Sequence, residues 1–230
     1  MGRIRYDRDD AWSRFHHLGN VTRIALDAFS LSNIETPNLS DDYLVSDEFE
    51  VSHLPEILNS LHESHIEDQI LEKDIGKRLL LQTMAATIYA AFEHSVIMIY
   101  AAFQTAKGET EILSPRNKGE YWKALKHLKQ QGVLVEDMQG YTHVDLARQV
   151  RDAVMHRGGL VDADDAAFQD ALCKSFPNQL VSFGCDDHYR QIALHDSFVW
   201  HLLSVGKNII DSLHDHLVRL LPNEDASVLQ

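Results

Sequence analysis

The sequence predicts an all-α fold: an antiparallel helical bundle with an N-terminal helical extension and a small β-hairpin insert. Apolar residues recur at steps of three and four over most of the 230-residue chain, the period of helices with one buried face. Short clusters of Gly, Pro, Asn, Asp and Ser separate these periodic segments. The chain lacks βαβ alternation, and no glycine-rich phosphate loop, GxSxG or HExxH motif occurs in it.

In chain order, residues 9–31 read as a first helix with Trp12, Phe15, Leu18, Ile24 and Leu26 as its apolar positions. "LSNIETPNLSDDYLVSDEFEVS" then reads as an acidic loop, because the periodicity fades and turn formers are dense. A helix begins near Leu54, where Pro55 suits the first turn. The strongest periodicity runs from Ile66 to Ala106 through Ile70, Leu79, Met84, Ile88, Phe92, Val96, Ile99 and Phe103. Gly76 is a candidate bend in it and Gly108 its stop. "SPRN" is a turn. Residues 119–131 form a shorter helix with Tyr121, Leu125 and Leu128 on one side, ended by Gly132, and "VLVEDMQGY" is a connector.

Thr142 is the expected cap of the next helix, with Asp145 three positions on as an approximate capping box. Val144, Ala147, Val150 and Val154 face inward, and Gly158 and Gly159 end the helix. Residues 163–175 read as a small helix, and "LVSFGCDDHYRQIALH" as two short strands around a Gly-Cys-Asp-Asp turn. A last helix covers 195–221 with Phe198, Leu202, Val205, Ile209, Leu213, Leu217 and Leu220, closed by Pro222. The expected organisation is an N-terminal helix and acidic loop (1–60) packing on a helical domain (61–222), followed by a loose tail (223–230).

Cys173 and Cys185 have no CxxC spacing and no Cys/His partners at zinc-site intervals, so free thiols in a reducing compartment are expected. "MGRIRYDRDD" is too polar for a signal peptide, and Tyr6 stands where a myristoylation motif needs Ser or Thr. Glu93, His94 and Gln104 interrupt the apolar run from Ile88 to Phe103, which argues against an uninterrupted membrane span. A cytoplasmic protein without a membrane partner is expected. The net charge of −14 excludes a generic nucleic-acid coat, but the charge is unevenly spread. Residues 35–74 carry twelve acids and one base, whereas residues 114–157 carry eight bases against five acids. Lys123, Lys126 and Lys129 lie in that basic stretch and are candidate RNA contacts, or simply a solvated helix face.

The basic stretch ends in "RQVRDAVMHRGG", residues 148–159. On a helix, Arg148, Asp152 and His156 follow one another at intervals of four and form a stripe, with Arg151 one step aside. A helix C-terminus and a carboxylate one turn earlier both favour a protonated imidazole. An imidazole poised near neutral pH beside a permanent cation suits phosphoryl transfer. A surface salt-bridge cluster is the alternative reading. The spacing recurs in Arg190–His195, where the surrounding sequence is strand-like.

"RDAVMH" resembles the R-polar-x-x-x-H signature of the HEPN superfamily, all-helical domains that include many metal-independent ribonucleases. Asp152 fits the polar position. The signature lies near the end of a late helix, and "YAAFEHSVIMIYAAF" places Glu93 in an apolar setting on an earlier long helix, as the family often does. The resemblance covers residues 66–221 and leaves 1–60 unexplained. It implies a homodimer whose motif helices form one composite cleft, with no cofactor and no metal. Arg151 would bind the scissile phosphate, His156 would act as acid or base, and Asp152 would orient the site, with Glu93, Arg148 and Arg157 in support. The 2′-hydroxyl of RNA would attack, leaving a cyclic phosphate and a 5′-hydroxyl. Many members are toxins or anti-phage effectors restrained by an antitoxin or regulatory protein. A non-catalytic HEPN module that dimerises or binds nucleotide beside another protein is the rival reading, and the acidic composition favours it.

The fourteen histidines supply no complete ligand set. His16 and His17 diverge on a helix, and the one Glu-x-x-His match, Glu50 to His53, falls in the acidic loop. Glu93 is expected to pair with an arginine, Arg151 being one candidate, or to line the cleft. Tyr121, Trp122 and Trp200 are expected in the core or an interface.

Overall fold

Six helices form among the described residues, and their bounds follow the apolar periodicity closely. In a computed structural model the chain is described at residues 8–31, 54–114, 119–176, 180–182 and 188–221. The expected acidic loop, the Gly-Cys-Asp-Asp turn, Pro222 and the tail lie outside the described residues. Helix α1 covers Arg8–Leu31, α2 Leu54–Ala106, α3 Glu120–Gln130, α4 Tyr141–Arg157, α5 Ala166–Ser175 and α6 Asp196–Leu220. A 3-10 turn, Val135–Asp137, lies in the connector before α4. Three short strands, β1 (Leu160–Asp162), β2 (Leu180–Ser182) and β3 (Tyr189–Ile192), complete the described elements.

Two expectations about α2 are corrected. Gly76 does not break the element, because 53 residues run as one helix. One interior glycine costs only about 1 kcal/mol and removes no backbone hydrogen bond. Position 60, the expected end of the N-terminal extension, therefore lies inside α2. The chain instead divides into two compact units, Arg23–Leu80 and the remainder.

In the unit Arg23–Leu80, Leu26 is buried, but Ile24, Ile70, Leu71, Ile75 and Leu79 are exposed. Ile24, Ile70 and Leu79 were expected to face a core. Periodicity shows that residues share a helix face, not that another element covers it.

The other unit holds the core. Leu81, Ile88, Phe92, Val96, Ile99 and Phe103 of α2 are buried, as are Leu128 of α3, Val150 of α4 and the α6 series Phe198, Leu202, Ile209, Leu213 and Leu217. Leu220, expected with them, is exposed. The first half of α1 contributes Phe15, and Gly19 lies against Trp200 and Leu203 of α6. By length and composition α2 could cross a membrane; 61% of its most apolar stretch is buried inside the fold, so a core role accounts for that composition. Glu93, His94 and Gln104 interrupt the apolar run but not the helix.

Three buried glutamines tie the connectors down. Gln82 donates from Nε2 to the Ile192 carbonyl at 2.8 Å. Gln104 donates to Glu109 and to the Glu111 carbonyl, and its Oε1 accepts from the Leu113 N–H. Gln169 donates to the carbonyls of Asp162 and Ala163. Apart from the bond to the Glu109 carboxylate, each of these bonds satisfies a backbone group.

The expected hairpin is present as β2 and β3, and β1 makes it a three-stranded antiparallel sheet in the order β1-β3-β2. Leu160 pairs with Gln191 and Asp162 with Tyr189. Strand β1 was not foreseen, because three residues are too few to show alternation.

Helix α4 starts at Tyr141 without the expected Thr142 cap. Gly140 takes the N-cap position in left-handed geometry, with φ 90°, and its carbonyl accepts from the His143 N–H at 2.9 Å. A Cβ at Gly140 would lie 2.6 Å from Val205 Cγ1 of α6. Gly140→Ala is therefore expected to cost about 2–4 kcal/mol from the strained dihedral plus the clash. Denaturant unfolding of Gly140→Ala, Val205→Ala and the double variant checks this. The double variant should recover the clash component, so strictly additive losses would count against it.

Candidate functional site

Helix α4 has two chemically distinct faces. Val144, Leu146, Ala147, Val150 and Ala153 are buried, and the helix contacts α5, α6 and β1. Val154, expected inward, is half-buried. Burying that face leaves Asp145, Arg148, Gln149, Asp152 and His156 along the other side. Gly158 and Gly159, both at positive φ, end the helix as expected and turn the chain into β1.

The polar side chains form a ladder. Arg148 donates from Nε to Asp145 Oδ1 at 2.8 Å and from Nη1 to Asp152 Oδ2 at 3.4 Å. Gln149 donates to the second Asp145 oxygen at 3.0 Å. Arg151 Nη1 donates to the second Asp152 oxygen at 3.2 Å. Such half-exposed pairs along a helix are worth only about 0.3–0.5 kcal/mol each. They orient the guanidinium groups more than they stabilise the helix. Burial opposes the charge of Arg148, but the bond to Asp145 together with the charges of Asp145 and Asp152 holds the guanidinium pKa above its ordinary value.

Helix α2 brings Tyr89 and Glu93 to this ladder. Tyr89 is 2% exposed, and the Arg151 guanidinium carbon lies 5.9 Å from its ring centroid. Burial lifts the Glu93 carboxyl above its ordinary 4.5, partly offset by the Tyr89 hydroxyl and the Arg151 charge. Of the two expectations for Glu93, pairing with an arginine is not met, since it makes no ion pair among the described residues. The guanidinium of Arg151 is turned to Asp152 instead. The Tyr89 hydroxyl is buried and meets no partner in hydrogen-bond geometry, although burial and the Glu93 charge both push its pKa up. Tyr121 of α3 and Tyr141 of α4 complete the cluster, and burial raises both phenols.

The predicted residues thus fall into three groups. Arg148, Arg151, Asp152 and Glu93 come together. His156 lies one helical turn beyond Asp152 and is exposed. It makes no hydrogen bond or ion pair with a described residue. The expected Asp152–His156 contact is not formed, because both carboxylate oxygens face arginines. Arg157 binds Asp162 at 3.1 Å and so joins the end of α4 to β1.

Lys123, Lys126 and Lys129 lie exposed on α3, and Lys123 is held 2.7 Å from Glu120. Tyr121 is in the core, and Trp122 and Trp200 are 54% and 40% exposed in the single chain.

Two groups escaped sequence reasoning. Tyr89 was legible in principle, since it precedes Glu93 by four positions and shares its helix face. His143 and His201 were not, because they meet across α4 and α6. Their rings lie 4.6 Å apart beside Phe176. His143 Nδ1 and His201 Nε2 are buried without a partner. Burial and His201 lower the His143 pKa.

No protein family, no curated protein and no solved structure matches this chain. Among the described residues, no three His, Cys, Asp or Glu side chains gather where a metal ion could be held. Function rests on the geometry of α4 and its neighbours.

A carboxyl with a raised folded-state pKa favours folding while it is protonated. Its contribution is complete below the unfolded value and is lost as pH rises through the folded one. Glu93→Gln keeps the neutral shape and removes the ionisation. The variant should melt above the wild type at mildly alkaline pH, and the gap should close as the pH falls toward the ordinary value of 4.5. Parallel thermal melts across this range check the sign. A variant that is the less stable at alkaline pH would mean that the Glu93 charge stabilises the fold.

Proposed function

We propose that this chain is a metal-independent endoribonuclease of the HEPN type, working as a homodimer with its two α4 helices adjacent. The observation that supports it is the placement of Arg151, Asp152 and His156 within the last two turns of one helix, Asp152 and His156 on its polar side and Arg151 bonded to Asp152, with Glu93 of α2 close by.

The chemistry follows from those groups. Arg151 balances charge on the non-bridging oxygens of the scissile phosphate. One His156 accepts the proton of the RNA 2′-hydroxyl as the 2′-oxygen bonds to phosphorus. The bond from phosphorus to the 5′-oxygen breaks, and the His156 of the second copy donates a proton to that oxygen. The products are a 2′,3′-cyclic phosphate and a 5′-hydroxyl. Because Asp152 already neutralises Arg151, the phosphate must displace that carboxylate. Lys123, Lys126 and Lys129 extend the RNA contact. A restraining antitoxin or regulatory protein, in toxin or anti-phage defence, and a cytoplasmic setting fit this activity.

A non-catalytic HEPN module is the second reading. The net charge of −14 and the occupied state of Arg151 favour it.

Incubation of mixed RNA with the purified protein in EDTA separates the two. The wild type is expected to cut and to leave cyclic phosphate ends. His156→Ala and Arg151→Ala should each lose at least about 100-fold in rate. RNA left intact by the wild type and both variants alike would replace the first reading with the second.

A further inference from the structure

Tyr89 is not explained by packing alone. Its side chain is 2% exposed, yet its ring borders the polar ladder of α4. The ring lies under the Arg151 guanidinium at 5.9 Å, within the reach of a cation–π contact.

Arg151 itself is loosely held. It makes one side-chain hydrogen bond, to Asp152, and is 39% exposed. A long side chain held at one point keeps much of its rotamer freedom, about 2 kcal/mol in total for arginine. That one bond is also the bond an incoming phosphate must replace. Once Asp152 has been displaced, the aromatic face remains as a contact that can fix the guanidinium.

We propose that Tyr89 is a positioning residue for Arg151, its buried ring holding the guanidinium in place while a phosphodiester replaces Asp152. The proposal rests on the ribonuclease reading for its consequence in catalysis, but not for the contact itself. Without the ring, Arg151 still attracts RNA through its charge. It no longer meets the transition state in a fixed geometry, so turnover suffers more than substrate binding.

The test compares Tyr89→Leu and Tyr89→Phe with the wild type in two independent measurements. The first follows the Arg151 Nε–Hε signal by NMR, assigned through its loss in Arg151→Lys. The wild-type signal should stand apart from those of freely exposed arginines. It should collapse toward them in Tyr89→Leu and be retained in Tyr89→Phe. The second measures RNA cleavage. Tyr89→Leu should lose about tenfold in kcat with KM changed less than about threefold, and Tyr89→Phe should return to within about threefold of wild type.

Melting temperatures separate this from general destabilisation, because Tyr89→Phe retains the ring and the core. An Arg151 signal indifferent to Tyr89→Leu overturns the proposal, as does a Tyr89→Phe variant no better than Tyr89→Leu. If the wild type leaves RNA intact, the ribonuclease reading fails and the NMR measurement still decides the role of Tyr89.

Discussion

The arrangement of the candidate site depends on the burial of one face of α4. Val144, Leu146, Ala147, Val150 and Ala153 can leave water only if the helix lies flat against its neighbours. Five such side chains outweigh several surface ion pairs, since a buried Val or Leu contributes about 1.5–3 kcal/mol and a half-exposed pair a few tenths. The rotation of the helix is therefore set by its apolar side, and the polar ladder is carried outward as a consequence. Gly140 and Gly158 fix where this rod begins and ends, through left-handed backbone that other residues adopt at a cost.

The electrostatics of the ladder are nearly balanced. Arg148 and Arg151 face Asp145 and Asp152, so the formal charges of these four groups cancel. Glu93 adds a carboxyl whose ionisation burial opposes. The cluster is therefore not a ready-made anion trap of unpaired cations. It resembles a site in which a ligand exchanges places with an internal carboxylate. In the proposed reaction, a phosphate would have to reproduce what Asp152 already supplies, which would make recognition selective for geometry.

Helix bounds were legible to within a residue or two wherever periodicity was sustained, as in α1, α3 and α6. The stripe Arg148, Asp152, His156 was legible for the same reason: spacing on one helix determines the shared side. What lay beyond one element was not. Spacing could not reveal that Asp152 would face two arginines and leave His156 without it. Nor could it reveal that Ile70 and Leu79 would be exposed, since that depends on what lies opposite. The buried glutamines were equally opaque. Gln82 and Ile192 are 110 positions apart, and a glutamine on a helix gives no sign of the carbonyl it will meet. The motif resemblance singles out α4, while the approach of Tyr89 and Glu93 from α2 could not be read from spacing on α4.

The histidine pair at the other end of α4 has a consequence for the whole molecule. An imidazole whose folded-state pKa is depressed supports folding above its ordinary value of 6.5 and withdraws that support as the medium turns acidic. Glu93 does the reverse. The two proton-linked slopes therefore have opposite sign: acidification works against the burial of His143 near one end of α4 and favours that of Glu93 beside the other.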